Sequence, residues 1–432
     1  MSDPFVTFTN MLKHSQWWEE DRLKALQKKG LLRLLAHAWH QVPAYGERLA
    51  PLFSADGHID LSRWQDVPVL TRNGAQADTR SFYARQVPAQ AGETFEQQTS
   101  GSTGMPLKHR SSALQGVASQ AAAMRGLDWH KVDPNRSCAH FSTALPGASD
   151  LPDGATRKEW QRGFCDGVGF WLDHKLTDIA QKLDWLLRHP TDYLATTPNT
   201  ALGIVLAAQN RQVILPGYSA VMLGGEILTQ ETEATLRMHL SDRLINSYGS
   251  EECGRMAVCC PEYGNFHLHE EICLIEILDE EDRPVGPGET GRVVVTPFYN
   301  FAMPLVRYAV GDYATVSAEP CGCGRTSRTL SKIAGRERHL FRFADGSSVW
   351  PSLRIEEFQT IVPFRQWQIV QDRLDHFNVS LILPDADIAF DRDAFQAALC
   401  SAFRQQIDVD IALVTDVPRD PSGKFEEFKS IL

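Results

Sequence analysis

A run of small residues near position 100 has the composition of a phosphate-binding loop. Its glycines allow close approach of the backbone, so successive N–H groups can point at one anion while hydroxyl groups add further donors to phosphate oxygens. The spacing matches neither the Walker loop nor the dinucleotide fingerprint, which place glycine and lysine differently. A flexible surface loop rich in small residues is the alternative interpretation. The residues of the run are Thr99, Ser100, Gly101, Ser102, Thr103 and Gly104.

Two later segments carry the other groups that a nucleotide site needs. Tyr248 and Glu252 directly follow a short apolar run that predicts a buried strand, and Asp312 follows a glycine further along the chain. An aromatic ring at a strand end can stack on a base, and a carboxylate beside it can hold a cation. Asp312 has the chemistry to accept hydrogen bonds from the two hydroxyls of a ribose. We therefore expect a nucleotide, with a divalent cation, to bind this part of the chain.

One lysine lies close to the C-terminal end, in a turn that contains glycine. Lys424 belongs to the segment 418–425, which reads Pro-Arg-Asp-Pro-Ser-Gly-Lys-Phe. A lysine in such a turn can place one positive charge on a carboxylate or on a leaving phosphate. A solvated tail is the alternative, because chain ends are often poorly ordered.

Four side chains offer three thiols and one imidazole, which is a ligand set of closed structural zinc sites. They are Cys260, His267, Cys321 and Cys323, and the last two form a Cys-x-Cys pair. In the alternative interpretation the cysteines are small buried hydrophobic residues and the histidine has an ordinary hydrogen bond. The neighbouring thiol of Cys259 also leaves the choice of ligand open. Nine cysteines without a secretory signal indicate reduced thiols rather than disulfide bonds.

The spacing of apolar residues predicts an α/β chain with two parts. A helix is expected from Trp17 to Trp39, interrupted at Gly30, and the middle of the chain alternates helices with the short apolar runs of a mixed or mostly parallel sheet. Later strands joined by turn residues indicate a β-rich subregion of antiparallel strands. We expect a large domain over residues 1–335, with the cysteines in a subregion 253–325, and a small α+β domain over residues 336–432.

Within the small domain, the apolar pattern predicts two paired strands, one helix and a last strand. The strand pair is expected around Trp367–Val370 and Val379–Leu383. The helix should cover Asp393–Arg404, and the last strand should lie at Ile411–Val414.

The bulk properties restrict the partners. A net charge of -11 disfavours a broad nucleic-acid interface, which needs clustered lysine and arginine. No apolar run approaches the ~18 residues of a membrane span, and the first residues lack a signal-peptide pattern, so we expect a soluble cytoplasmic protein that does not enter a membrane. A homodimer is the commonest assembly for such chains.

In their order and separations, the loop near position 100, the Tyr248 segment, Asp312 and Lys424 resemble the adenylate-forming superfamily of acyl-coenzyme A synthetases, adenylation domains and firefly luciferase. The closer likeness is to the phenylacetate-coenzyme A ligase branch, and it covers essentially the whole chain. Marks of that branch are Tyr193–Pro198 with a following Gly-Gly-Glu, and Pro320–Arg325 leading to Ile333–Arg336. The resemblance implies a large α/β adenylation domain of mixed sheets flanked by helices and a small mobile α+β C-terminal lid.

The resemblance also implies a role for each matching residue. The loop of residues 99–104 would bind the phosphates of ATP, Glu252 would hold magnesium, and Lys424 would be the catalytic lysine. An acyl-pocket strand matches loosely at His140 and Phe141, for which core packing is the alternative. In this branch the Cys, His and Cys-x-Cys positions can hold a metal, which agrees with zinc. The remaining nucleotide contacts and hinge positions would be Gly224, Gly225, Glu226, Tyr248, Gly249, Asp312, Arg325 and Arg336.

These roles describe attack of a carboxylate oxygen on the α-phosphorus of ATP, with release of pyrophosphate and formation of an acyl-adenylate. The resemblance implies an aryl or arylacetic acid as substrate and coenzyme A as the acceptor. Two departures from the family are visible. Glu251 replaces the usual threonine before Glu252, and its extra charge needs either a counter-ion, for which Arg255 is a candidate, or an outward side chain. No aspartate follows Arg336 at the hinge. Because the hinge differs, an amine or a carrier-protein thiol is the alternative acceptor.

Overall fold

The computed structural model describes residues 3–98, 107–142, 147–161, 166–336, 339–351, 353, 355–385, 388–417 and 426–432. The chain divides into two compact units, Met1–Ile333 and Ala334–Leu432. No described helix is long and apolar enough to cross a lipid bilayer.

The helices of the first unit begin mostly at residues that cap them. Asp178 forms a capping box with Gln181, and the Thr197 side chain accepts a hydrogen bond from the Thr200 N–H at the start of a helix with Pro198 in its first turn. The described helices are α1 Pro4–Ser15, α2 Glu20–Gln41, α3 Tyr45–Arg48, α4 Arg72–Ala77, α5 Ala113–Trp129, α6 Ile179–Arg188, α7 Pro198–Asn210 and α8 Gln230–His239.

Helix α2 continues through Gly30, so the predicted interruption at this glycine is wrong. The reason is close packing. A Cβ atom at Gly30 would lie 2.9 Å from Cδ2 of Phe298, so the absence of a side chain lets the helix approach this buried ring. The cost of glycine in a helix, about 0.5–1 kcal/mol relative to alanine, is offset here by that contact.

The strands of the first unit are shorter than the helices and mostly apolar. β14 crosses the boundary into the second unit. The described strands are β1 Thr94–Gln98, β2 Lys108–Ser112, β3 Cys138–Phe141, β4 Ala155–Lys158, β5 Val168–Leu172, β6 Tyr193–Thr196, β7 Ala220–Gly224, β8 Leu244–Ser250, β9 Gly254–Cys259, β10 Phe266–Leu268, β11 Cys273–Leu278, β12 Thr290–Pro297, β13 Tyr308–Val316 and β14 Thr329–Arg336.

A mixed sheet joins most of these strands in the order β11-β12-β13-β14-β10-β9-β8-β7-β6-β3-β5-β4. Strands β5, β3, β6, β7 and β8 are parallel neighbours, whereas β8 and β9, β9 and β10, and β11 to β13 pair antiparallel. The fold class predicted from the sequence is thus confirmed, and pairing changes from parallel to antiparallel at both ends of this group, between β8 and β9 and between β5 and β4. β1 and β2 form a separate hairpin that the sequence did not predict.

Two apolar clusters hold this sheet between helices. The first contains residues of α1, α2 and α5 and the antiparallel strands, with Leu12, Leu34 and Phe298 fully buried. The second packs α6, α7 and α8 on the parallel strands and has Trp185 and Ile204 at its centre. Parallel strands are therefore covered by helices, which explains their continuous apolar runs.

The second unit has a four-stranded sheet in the order β19-β18-β17-β20. Its antiparallel β17 and β18 and its helix α10 agree with the expected strand pair and helix, while β15, β16 and β20 are additional. Phe341, Trp367, Phe377 and Phe395 lie in its core. The elements are β15 Phe341–Arg342, β16 Ser348–Val349, α9 Ile355–Gln359, β17 Gln366–Arg373, β18 His376–Ile382, α10 Arg392–Phe403, β19 Asp408–Leu413 and β20 Phe428–Ser430.

Candidate functional site

The candidate site lies where the parallel strands of the sheet end. Because β3, β6, β7 and β8 run in the same direction, their carboxyl ends meet at one edge. In open α/β sheets, ligands bind in the crevice at that edge. The sequence-predicted residues His140, Gly224 and Tyr248 all lie near the ends of these strands.

Tyr248 and Asp312 are brought together by a direct hydrogen bond. The Tyr248 hydroxyl donates to Oδ2 of Asp312 over 2.9 Å, although 64 residues separate the two positions. Tyr248 lies on β8 and is buried, and Asp312 lies on β13 and is half-buried. The fold therefore holds an aromatic ring and a carboxylate as one unit, as contacts to a base and a ribose would require.

Glu252 is buried directly after β8 and has defined partners. Its Oε1 accepts a hydrogen bond of 3.0 Å from the Tyr308 hydroxyl and lies 3.6 Å from Nη1 of Arg72. Burial, and then the nearby carboxylate, raise the pKa of Tyr308, so this phenol remains a donor. Within the described part of the chain, Oε2 of Glu252 makes no hydrogen bond. One carboxylate oxygen is thus held by the protein, and the other can serve a ligand.

Backbone conformation and close packing explain glycines of the predicted nucleotide site. Gly224 ends β7, and Gly225 has a φ of +79°, in the left-handed region that favours glycine. Glu226 accepts a hydrogen bond of 3.1 Å from the Asn199 N–H at Oε2. A Cβ atom at Gly249 would lie 2.5 Å from the Gly254 carbonyl oxygen, so only glycine fits at that point of the β8–β9 pair.

His140 and Phe141 lie near the end of β3, among aromatic rings. The His140 ring stacks on Trp171, with centroids 4.9 Å apart and planes 6° apart, and Phe141 packs against Trp185 at 5.7 Å. Burial lowers the pKa of His140 to about 4, so its imidazole is neutral at pH 7. Its Nε2 is buried and has no hydrogen-bond partner among the described residues.

Both residues line a cavity of about 300 Å³ at the edge of the sheet. Residues of α5 form one wall, and the ends of β3, β6, β7, β8 and β9 form the others. This volume is at the low end of the range of small-molecule sites, so the cavity suits a small ligand. The other described lining residues are Ala122, Ala123, Gly126, Leu127, Ser142, Gln161, Ala195, Thr196, Thr197, Met222, Leu223, Gly224, Ile245, Ser247, Arg255 and Val258.

Arg255 brings the charge of this cavity. For the extra carboxylate of Glu251, the sequence left open a counter-ion, with Arg255 as the candidate, or an outward side chain; Glu251 is exposed, and in the part of the chain that the structure describes Arg255 forms no ion pair. Among the described lining residues it is the one permanently charged side chain. The only sequence signal for it was its position, three residues after Glu252.

The four predicted metal ligands converge. One ligand atom from each of Cys260, His267, Cys321 and Cys323 lies within 4.8 Å of all the others. Tetrahedral zinc with Zn–S and Zn–N distances of about 2.3 and 2.0 Å separates its ligand atoms by about 3.5–3.8 Å. The cluster extends to slightly wider spacings than these, and its three thiols and one imidazole are a donor set of closed zinc sites. Cys259, the alternative thiol, instead lies 3.6 Å from Nε2 of His130.

The imidazole of the cluster is oriented by a hydrogen bond on its far side. His267 is fully buried, its Nδ1 lies 3.1 Å from the Ser327 hydroxyl, and its Nε2 lies 3.2 Å from Sγ of Cys323. Metal-bound histidines usually have such a partner on the second nitrogen. Burial, and then Arg325, lower the pKa of His267 to about 4, so the ring is neutral.

Arg325 lies beside this cluster, away from the residues assigned to the nucleotide. Its guanidinium stacks on Trp129 at 4.3 Å, and its Nε donates a hydrogen bond of 3.2 Å to Gln16. Its Nη1 also lies 3.7 Å from a carboxylate oxygen of Glu262. The nucleotide role expected for Arg325 therefore has no support in its contacts, which instead connect the cluster to the start of the chain.

Several of the predicted site residues are not among the residues described at this site. Arg336 belongs to the second unit, where its carbonyl accepts a hydrogen bond of 3.1 Å from Nε1 of Trp350. The hinge positions 337–338 and the catalytic candidate Lys424 lie outside the described residues. The same holds for the whole predicted phosphate loop, Thr99, Ser100, Gly101, Ser102, Thr103 and Gly104.

Comparison with known proteins gives relatives of one kind, although no protein-family model matches the chain. The chain is 25% identical over 360 residues to a phenylacetate-coenzyme A ligase of Thermus thermophilus, covering 79% of this chain and 76% of that protein. It is 23% identical over 429 residues to a phenylacetate-coenzyme A ligase of Escherichia coli, covering 92% and 90%.

Among solved structures, a 2-hydroxyisobutyryl-CoA ligase in the postadenylation state, in complex with R3-HIB-AMP, has a TM-score of 0.74 with this chain. The match covers 97% of this chain and 92% of that ligase at 17% sequence identity. At such an identity the match establishes the fold. Together with the two sequence relatives, it confirms the family resemblance that the sequence motifs predicted.

Proposed function

We propose that this chain, a phenylacetate-coenzyme A ligase-like member of the adenylate-forming enzymes, activates a carboxylic acid with ATP and transfers the acyl group to coenzyme A. The observation that carries the proposal is one juxtaposition. Tyr248, bonded to Asp312, follows directly after Ser247, which lines the small cavity, and buried Glu252 comes four residues later. Groups suited to a nucleotide and a pocket suited to a small acid thus share one strand end.

The chemistry follows from the groups that meet there. A carboxylate oxygen attacks the α-phosphorus of ATP, a new P–O bond forms, and the bond to pyrophosphate breaks. No protein nucleophile is needed, so the protein acts by positioning the reactants and offsetting charge. In a second step the coenzyme A sulfur, after loss of its proton, attacks the acyl carbon and AMP leaves.

The described residues would bind and position ATP before the carboxylate attacks it. Tyr248 would pack on the adenine, and Asp312, held by the Tyr248 hydroxyl, would accept from the ribose hydroxyls. Glu252 would hold magnesium through Oε2, and the bound cation would offset charge on the phosphate oxygens. By resemblance, the loop 99–104 would bind the phosphates, and Lys424 would add a positive charge at the reacting carboxylate.

The cavity supports an aryl or arylacetic acid. Phe141 and His140 supply aromatic rings to its lining, and α5 supplies small residues such as Ala122 and Gly126. A flat ring between an aromatic wall and small side chains gains the contact area that aromatic groups provide. A cavity of about 300 Å³ also favours a small acyl group over a long acyl chain.

Pyrophosphate release with a panel of small acids tests the proposal, with coenzyme A, an amine or no acceptor present. We expect release that depends on ATP and acid, and a thioester when coenzyme A is supplied. An adenylate that forms but reacts only with the amine would favour the alternative acceptor. Glu252→Gln should abolish turnover, whereas Glu251→Gln, at the exposed neighbouring carboxylate, should retain it. Equal turnover by both variants would contradict the role of Glu252.

We further propose that Cys260, His267, Cys321 and Cys323 hold one structural zinc ion. The proposal is supported by the closeness of the four ligand atoms, the burial of His267 and the Ser327 hydroxyl at its second nitrogen. Three thiolates and one imidazole are a common set for closed structural sites. Bound zinc would join the end of β9 and strand β10 to the segment before β14.

Elemental analysis of protein purified without added metal tests this site. We expect about one zinc per chain in the wild type and in Cys400→Ser, whose thiol lies in the second unit outside the cluster. Cys323→Ser should lose most of the metal, because closed sites rely on all four ligands. Wild-type protein without near-stoichiometric zinc would refute the proposal.

A further inference from the structure

The small cavity at the sheet edge combines an apolar body with unmatched polar groups. Half of its described lining residues are apolar, and the buried atoms Nε2 of His140 and Oγ1 of Thr196 have no hydrogen-bond partner among the described residues. Buried polar groups in proteins are almost always bonded. Unmatched groups in a cavity wall are available to bond to water or to a ligand that carries hydrogen-bonding atoms.

The charge of the cavity is also unbalanced. Arg255 is permanently protonated and exposed to solvent, and the described lining contains no aspartate or glutamate to pair with it. The two nearest carboxylates in sequence have other surroundings. Glu251 is exposed, and Glu252 is bonded to Tyr308 and lies 3.6 Å from Arg72, so it already has a cation.

The histidine in the wall does not change this balance. Because His140 is buried, its pKa is about 4, and the ring is neutral at the pH of the cell. The net electrostatic character of the cavity at pH 7 is therefore that of one guanidinium. A planar guanidinium with several fixed N–H donors is well suited to a carboxylate or a similar anion.

We propose that Arg255 determines specificity by binding a second anionic group of the acid substrate, so that the preferred substrate is a small acid with an anion remote from the reacting carboxylate. Arg255 lies on β9 and lines the cavity. Ser247 and Gly224 also line it, and Ser247 directly precedes Tyr248, the residue assigned to the nucleotide. The inference rests on the proposed adenylation, since it names the substrate class of that reaction.

Pairs of acids that differ by a second carboxylate test the role of Arg255. The pairs are phenylacetate with 4-carboxyphenylacetate, and hexanoate with adipate. Pyrophosphate release gives kcat/KM for each acid, and the ratio within a pair isolates the contribution of the second anion. We expect a wild-type ratio in favour of the anionic partner. In Arg255→Met this ratio should fall about ten- to hundredfold, which corresponds to losing one charge-assisted hydrogen bond. Arg255→Lys should recover part of it.

Arg211→Met is the matched control, because Arg211 is exposed on the protein surface in an ion pair with Asp184. Its ratio should equal that of the wild type. A wild-type preference for the monoacids, or a ratio that Arg255→Met leaves unchanged, would overturn the inference. The second result would mean that Arg255 serves the reacting carboxylate or a phosphate, which all acids share.

The thermal shift caused by the same acids, measured with ATP present, needs no turnover. A chain that releases no pyrophosphate with any acid would refute the proposed function, while the binding preference would still decide the role of Arg255. The melting temperature of each variant without ligand verifies that the substitution has not unfolded the protein.

Discussion

Replacing Tyr248 in two steps separates the work of its hydroxyl from that of its ring. Tyr248→Phe removes only the donor that binds Asp312 over 2.9 Å. Hydrogen bonds to charged groups contribute about 1.5–3 kcal/mol. Because Asp312 is half-buried, water can replace part of the bond, and we expect the lower end of that range for the loss of stability. Tyr248→Ala removes the ring as well.

The affinity for ATP should respond differently to the two substitutions. The phenylalanine variant keeps the surface that packs on adenine, so its affinity should fall only a few-fold through the freed Asp312. Stacking of one base on an aromatic side chain contributes about 1–3 kcal/mol, so the alanine variant should bind ATP a further 5- to 150-fold more weakly. Isothermal titration with ATP and magnesium measures both changes.

Tyr313→Phe is the control for the hydroxyl. Tyr313 follows Asp312 on the same strand, is buried, and donates a bond of the same length, 2.9 Å, to a carboxylate oxygen of Glu280. Because Glu280 is exposed, Tyr313→Phe should lose less stability than Tyr248→Phe, and it should keep wild-type affinity for ATP. If Tyr248→Phe and Tyr248→Ala bind ATP equally well, the ring does not stack on the base, and the assignment of Tyr248 is wrong.

Three further predictions concern stability, each measured by urea unfolding. Gly30→Ala should destabilise the protein by about 1–3 kcal/mol because its Cβ would lie 2.9 Å from a buried ring, whereas Gly116→Ala, in a helix with nothing within 4 Å, should stabilise it by about 0.5–1 kcal/mol. Glu271→Gln leaves a buried arginine without its 2.7 Å ion pair and should cost about 3–5 kcal/mol, while Glu20→Gln, in an exposed pair, should cost less than about 0.5 kcal/mol. Burial lowers the pKa of His140 in the folded state to about 4. Between pH 6.5 and pH 4 the unfolded chain therefore binds more protons at this histidine than the folded chain. The free energy of unfolding should thus decrease as the pH falls from 6.5 to 4. Between pH 7 and pH 5 this amounts to at most about 2 kcal/mol, and the loss should be smaller in His140→Gln. An equal loss of stability between pH 7 and pH 5 in the wild type and in His140→Gln would contradict this role of His140.

Much of the large unit could be predicted because its strands have a local signature. Parallel strands are covered on both faces, so runs such as Ala220–Gly224 must be apolar throughout, and such a run is visible without the fold. The hairpin of Thr94–Gln98 with Lys108–Ser112 has no such signature. Its first strand is polar and fully exposed, and pairing of the backbone rather than burial defines it.

Gly30 shows the limit of local propensity. Glycine weakens an isolated helix, so the sequence predicts an interruption there. The deciding contact is with Phe298, which lies far away along the chain and is invisible to any local pattern.

The amino-acid sequence by itself determined the chemistry available to this protein: the types of the candidate metal ligands, the aromatic and carboxylate groups of the candidate nucleotide site, and the order of motifs that resembles the family. Residue type and local spacing are properties of the chain alone. Only the tertiary structure decided which of these groups meet. It joined Tyr248 on β8 to Asp312 on β13, and it brought Sγ of Cys260 within 4.8 Å of Sγ of Cys321, because the packing of the sheet and its connections places segments that are far apart in sequence side by side.

The tertiary structure also decided the lining of the candidate acid pocket, where the direction of the Arg255 side chain matters most. The pairing of β8 with β9 shifts register between Tyr248 and Gly249, opposite Ala257 and Arg255. An irregularity of this kind changes the face to which the following side chains point. From the sequence, Arg255 was a counter-ion for its neighbour Glu251. In the fold it lines the cavity, since the geometry of a strand pair, and not proximity along the chain, sets where a side chain goes.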